Sequence, residues 1–195
     1  APAALSNLLN VLGDQTQIRV NSERRLLAIT DKSLLDHPIV FMHGRRAFRL
    51  SDIERNDLKQ YRERGGFLFA DSICASKEFA DSFRREIASI FKDAKLSDIP
   101  ASHPLLTREF RGFDIRKVTL RDPQFRSEGD PLKAKIYLTA PTLEGLEIDG
   151  RLAVVFSPFD MSCALENSPS LECKGYDRRD AAKIGANVIL YALQQ

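Results

Sequence analysis

The 195-residue chain is long enough to form one domain with a full core. Hydrophobic residues make up 43% and charged residues 29%, as in an ordinary soluble globular protein. A net charge of +2 leaves no electrostatic case for nucleic acid or an anionic membrane surface as partner.

In chain order, Leu5, Leu8, Leu9 and Leu12 recur at helical spacing over Pro2 to Leu12. Thr16 to Val20 alternates like a short strand, and Leu26 to Ile29 reads as another. Ile39 to Met42 is a continuous apolar run, as in a strand covered on both faces. Ser51 with Glu54 predicts a capping box opening a helix to Arg64, and Gly65-Gly66 supplies its stop. Phe67 to Ala70 forms the next strand. Ser76 then caps a helix whose apolar face is Phe79, Phe83, Ile87, Ile90 and Phe91. Strand, helix, strand and helix in succession imply parallel pairing.

The middle, Asp93 to Thr142, is irregular. Prolines mark Ile99 to Pro104 as loop, while Phe113 to Leu120 and Lys135 to Thr139 read as strands. Asp149-Gly150 sits between two alternating runs from Gly145 to Phe156, a strong hairpin signal. Asp177 caps a last helix with Ala181, Ile184, Val188 and Tyr191 on its apolar side.

Three of the strand-like runs end in reactive residue types: Met42 into His43-Gly44, Ala70 into Asp71-Ser72-Ile73-Cys74, and Phe156 into Ser157 through Cys163. Ligands in open parallel sheets sit beyond the carboxyl ends of the strands, so neighbouring runs would converge on one site. A pocket is expected from His43, Asp71, Cys74, Asp160 and Glu166. Within it, His43 suits a general base and Cys74 precedes a helix whose N-terminal charge favours a thiolate. The bland readings are a histidine bonded in a turn, a structural thiol, and carboxylates that cap turns. His37 and His103 each precede proline and read as structural. Arg45-Arg46 and Arg84-Arg85 read as solvated faces.

No metal or cofactor is expected, because the carboxylates have no ligand spacing and the three cysteines are too scattered for zinc. Cys163 and Cys173 would pair in an oxidising compartment, leaving Cys74 alone; in a reducing one all three stay thiols. No apolar stretch has transmembrane length and no signal peptide is visible. The opening Ala1-Pro2-Ala3 reads as a processed chain or an excised domain.

Several stretches together resemble the bacterial domain family DUF4159. They are His43-Gly44-Arg45, Phe48, Leu50, Leu58, Tyr61, Gly65 to Leu68, Asp71 and Cys74; Phe79, Phe83-Arg84, Ile99-Pro100 and His103 to Leu105; and Ser157 to Asp160, Cys163, Glu166, Cys173 to Tyr176, Ala181 and Tyr191 to Leu193. The resemblance covers nearly the whole chain. It implies an α/β fold: a flavodoxin-like, class I glutamine amidotransferase-like three-layer sandwich with a mainly parallel sheet, here with a β-hairpin insertion. It also implies a first strand ahead of the opening helix, which this chain lacks or replaces. Family members are often parts of larger secreted or membrane-associated proteins, so a periplasmic or membrane-associated setting is implied, with the cytoplasm as alternative.

True amidotransferases use a cysteine on a glycine-flanked elbow with a late histidine and glutamate. Here no glycine flanks Cys74 and no histidine follows Cys163. The expectation is therefore a single domain binding a small molecule or protein without a complete triad. The alternatives are a hydrolase using Cys74 with His43, and a structural module of a larger assembly.

Overall fold

The computed structural model describes residues 1–16, 18–21, 25–168 and 170–194. Its elements in order are α1 (Ala4–Gln15), β1 (Ile39–Gly44), α2 (Asp52–Glu63), β2 (Phe67–Ser72), α3 (Lys77–Ile90), β3 (Ser97–Asp98), β4 (Val118–Pro123), β5 (Ala134–Thr139), β6 (Glu144–Ile148), β7 (Arg151–Ser157), α4 (Ser162–Leu165), β8 (Gly175–Tyr176) and α5 (Arg178–Ala192). The main sheet has strand order β1-β2-β7-β6-β3 and the second sheet β5-β4-β8. β1, β2 and β7 are parallel neighbours; β6 and β3 extend that sheet antiparallel.

Alternation along the buried strands decides which helices cover which face. Phe67 and Phe69 of β2 and Val155 of β7 point into a cluster with Leu8 and Leu12 of α1 and Ile184 and Val188 of α5. Leu68 and Ala70, with Val154 and Phe156, point the other way, onto Leu58 of α2 and Phe79, Phe83 and Ile87 of α3. The chain is thus a mixed α/β protein with an open sheet covered on both faces, plus a second sheet beside it.

Local signals hold where they were strongest. Ser51 and Glu54 form the reciprocal capping box, and Gly65 at φ +88° ends α2. Ser76 caps α3 and Asp177 caps α5. Asp149 (φ 54°) and Gly150 (φ 78°) make the tight turn joining β6 to β7.

Other expectations are corrected. The strand read over Thr16–Val20 includes Gln17, outside the described residues, while Ile18 to Val20 and Leu26 to Ile29 form no strand. The strand read from Phe113 begins only at Val118. The cause is Asn187, a buried side chain of α5. Its Oδ1 accepts from the Phe113 amide at 2.7 Å, and its Nδ2 donates to the carbonyls of Phe113 and Leu105, both at 2.8 Å. Phe113's backbone is satisfied by a side chain and has no need of a ladder.

After β2 the chain turns sharply through Cys74 (φ 55°) and Ala75 (φ 53°), both left-handed. Non-glycine residues adopt this region at a cost of about 1–2 kcal/mol each. Ala75→Gly is therefore expected to stabilise the fold by about 0.5–1 kcal/mol in urea unfolding, the relief outweighing glycine's extra unfolded-state freedom. Equal or lower stability would show that the turn is unstrained at Ala75.

Candidate functional site

Because β1, β2 and β7 are adjacent and parallel, His43, Asp71 and Ser157 fall in one row at their carboxyl ends. The expected convergence of the three strand tails is what the structure has. All three side chains lie on the α1 and α5 face, continuing the rows Phe41, Phe69 and Val155.

The loop after β7 folds back over this row and is caught by Asp71. Its carboxyl oxygens accept the consecutive amides of Met161 (3.0 Å) and Ser162 (2.9 Å). Ser162 is thereby placed with Oγ 2.7 Å from His43 Nδ1, and its hydroxyl also bonds to Asp71. With the ring proton on Nε2, His43 accepts from the Ser162 hydroxyl through Nδ1, and the protonated Asp71 carboxyl can donate to Ser162 Oγ. The His43 ring also lies 5.0 Å from the Phe41 ring, centroid to centroid.

Asp160 organises the other side. Fully buried, it accepts the amide of Cys74 at 2.8 Å and that of Cys163 at 3.4 Å through Oδ1. Its backbone holds the segment entering β8: the Asp160 amide donates to the Lys174 carbonyl, and the Tyr176 amide donates to the Asp160 carbonyl. A Cβ at Gly175 would lie 2.5 Å from that carbonyl oxygen, so only glycine permits this approach.

One consequence corrects the sequence reading. Cys173, carried in with this segment, is bonded to Cys74 across a separation of 99 residues, and Cys163 keeps a free thiol. The expected Cys163–Cys173 bridge is not formed. The left-handed turn at Cys74 and the Asp160–Gly175 contact bring two distant segments together, which no local loop length reveals. Cys74 in this form has no thiol, so it is no nucleophile for His43. Nor are the cysteines scattered in space: all three sulfurs lie within 4.8 Å of one another.

Burial first, and the neighbouring Asp160 second, push the Asp71 carboxyl up to about 8, against the lowering effect of its bonds to Ser162 and Met161. Burial and Asp160 likewise push the Cys163 thiol up to about 12, so it stays protonated near neutral pH.

The predicted residues thus separate. Asp71 and Asp160 are fully buried and engaged internally, and Cys74 is cross-linked. Glu166 lies past the far end of α4, where its carboxylate accepts the Ala3 amide at the start of α1. His43 lines a cavity. That cavity is about 310 Å³ and runs beside β1, walled by Leu5, Leu27, Phe41 and Leu58 with Arg25. A larger cleft of about 820 Å³ opens near the β6–β7 turn, at the opposite end of the sheet. Three of its four lining cations are engaged in Arg55–Glu86, Lys59–Glu63 and Arg62–Asp149 pairs, and the cleft lies away from the strand ends.

Sequence reasoning missed Ser162 as the group between His43 and Asp71. Its only signal was membership in the tail from Ser157 to Cys163, and serine is common in turns for other reasons.

Two outcomes follow. Cys173→Ser is expected to cost about 4–5 kcal/mol, because the bridge closes a loop of nearly a hundred residues in the unfolded chain. Cys163→Ser is expected to cost far less; equal urea midpoints for the two variants would contradict this. Folded Asp71 keeps its proton to about pH 8 whereas an unfolded aspartate releases it near 4. Its contribution is then complete below about pH 4 and is lost as pH rises toward 8. The stability difference between wild type and Asp71→Asn should fall by up to about 1.4 kcal/mol per pH unit across that window. Parallel pH curves for the two proteins would refute the raised value.

No curated protein matches this chain. The family model described as a domain of unknown function, DUF4159, matches residues 1–193. Spanning nearly the whole sequence, that match places the protein: the chain belongs to the DUF4159 family.

Proposed function

We propose that this is a binding domain of flavodoxin-like, class I glutamine amidotransferase-like fold that holds a small ligand without catalysis. The observation that carries the reading is His43, held by Ser162 at the carboxyl end of β1 and lining the cavity of about 310 Å³. That volume is at the lower end for small-molecule sites, and apolar walls with few polar groups are their usual lining. The ligand has an apolar body along β1 and a hydrogen-bonding or anionic end toward His43 and Arg25. Asp71 and Asp160 act from behind, as supports.

Three parallel strands with helices on both faces support the amidotransferase-like reading of the fold. Binding is favoured over hydrolysis because the Cys74 sulfur is tied to Cys173 and the hydroxyl on the His43 ring is fully buried. The disulfide also favours an oxidising compartment, in keeping with a periplasmic domain of a larger protein. Among the described residues no helix is long and apolar enough to cross a membrane.

Anilinonaphthalene sulfonate, an apolar body with one anionic end, is a direct probe. Its fluorescence should saturate at one dye per chain, and His43→Ala should weaken binding about tenfold, the loss of one hydrogen bond. Leu27→Trp, which fills the cavity, should weaken it as well. Dye binding indifferent to both changes would sink the site. Ammonia release from glutamine by the reduced protein, lost in Cys74→Ala, would overturn the non-catalytic reading.

A further inference from the structure

We propose that, when the Cys74–Cys173 bond is reduced, Cys74, Cys163 and Cys173 bind one soft divalent cation, so that the site alternates between a disulfide and a three-thiolate metal centre. A bridge requires two cysteines, yet three separate segments deliver three: the turn after β2, α4, and the loop before β8. Their sulfurs all lie within 4.8 Å of one another. A tetrahedral zinc with Zn–S bonds of about 2.3 Å sets its sulfurs roughly 3.8 Å apart, so Cys163 already lies within reach of both partners, and the bonded pair, about 2 Å apart in a disulfide, has to open by nearly 2 Å on reduction. Thiolates in this number select zinc-like and other soft ions over magnesium or calcium.

A second, independent observation points the same way. Asp160 is fully buried, and its Oδ2 has no hydrogen-bond partner among the described residues. An unsatisfied buried carboxylate oxygen is costly, and a nearby cation would relieve it. The carboxylate is anchored between two of the three cysteines through their amides. Cys74 and Cys163 are half-buried while Cys173 is buried, so a path for the ion opens on one side.

The steps balance. A dithiol or phosphine reductant gives two electrons to the disulfide and is itself oxidised, and two protons complete the thiols of Cys74 and Cys173. Binding then releases the thiol protons of the coordinating cysteines to solvent as the metal–sulfur bonds form. The proposal stands apart from the cavity beside β1, since neither His43 nor the cavity walls take part.

Titration with Co²⁺ tests it on the whole chain. After reduction and removal of the reductant under argon, wild type should develop a thiolate-to-cobalt charge-transfer band that saturates at one equivalent and is displaced by Zn²⁺. The oxidised protein should show none. Cys163→Ser keeps the native bridge when oxidised, so its fold can be verified; once reduced it should bind Co²⁺ at least about tenfold more weakly, the least that even outer partners of a metal site cost. Should the reduced wild type lose its fold, one equivalent of Co²⁺ should restore its far-ultraviolet circular dichroism, and Cys163→Ser should not respond. A reduced wild type that takes up no Co²⁺, or a Cys163→Ser variant that binds it equally well, overturns the proposal.

Discussion

Asp71, buried at the end of β2 and accepting two consecutive amides from the loop after β7, is the interaction on which the strand-end site depends. It fixes the Met161–Ser162 end of the loop from Ser157 to Cys163, while Asp160's bonds to Cys74, Lys174 and Tyr176 hold the same loop from the other side. With both in place, Ser162 reaches His43, and Asp160 and Cys163 are set beside the turn that carries Cys74. A carboxyl suits this task because it has two oxygens to offer two neighbouring N–H groups, where an amide has one.

The arrangement has a cost, since two carboxyls are fully buried close together. An isolated buried carboxylate carries a penalty of several kcal/mol even after relaxation. Each residue meets it differently. Asp71 retains its proton to a higher pH and is bonded on both oxygens. Asp160 receives two amides on one oxygen and leaves the other unsatisfied. Buried polar groups left in this condition mark sites where a protein gives up stability for something else. Here that site coincides with the three-cysteine cluster.

Support for the surface at the carboxyl end of β1 is built in layers. His43 is the outermost group, Ser162 orients it, Asp71 positions Ser162, and the disulfide ties the turn after β2 to the segment entering β8. The second sheet is joined to this system through β8, which pairs with β4 on one side and contacts Asp160 on the other. Strain at Cys74 and Ala75 is over-determined by the bridge and by the Asp160 contact to the Cys74 amide.

What the sequence determined by itself was everything set by near neighbours. The caps at Ser51, Ser76 and Asp177, the turn at Asp149-Gly150, and the apolar runs of β1, β2 and β7 all follow from residues within a few positions of each other. Those runs were enough to place His43 and Asp71 at strand ends and Asp160 in the loop that follows β7. Only the tertiary structure decided which groups meet there. Cys74 and Cys173 are 99 residues apart, Asp71 and Ser162 91, and Phe113 and Asn187 74. Such pairings depend on how the whole chain is routed, and a serine, an asparagine or a cysteine carries no local mark of the distant backbone it will satisfy. That is why the strand ends were legible while the disulfide, the Ser162 link and the true start of β4 were not.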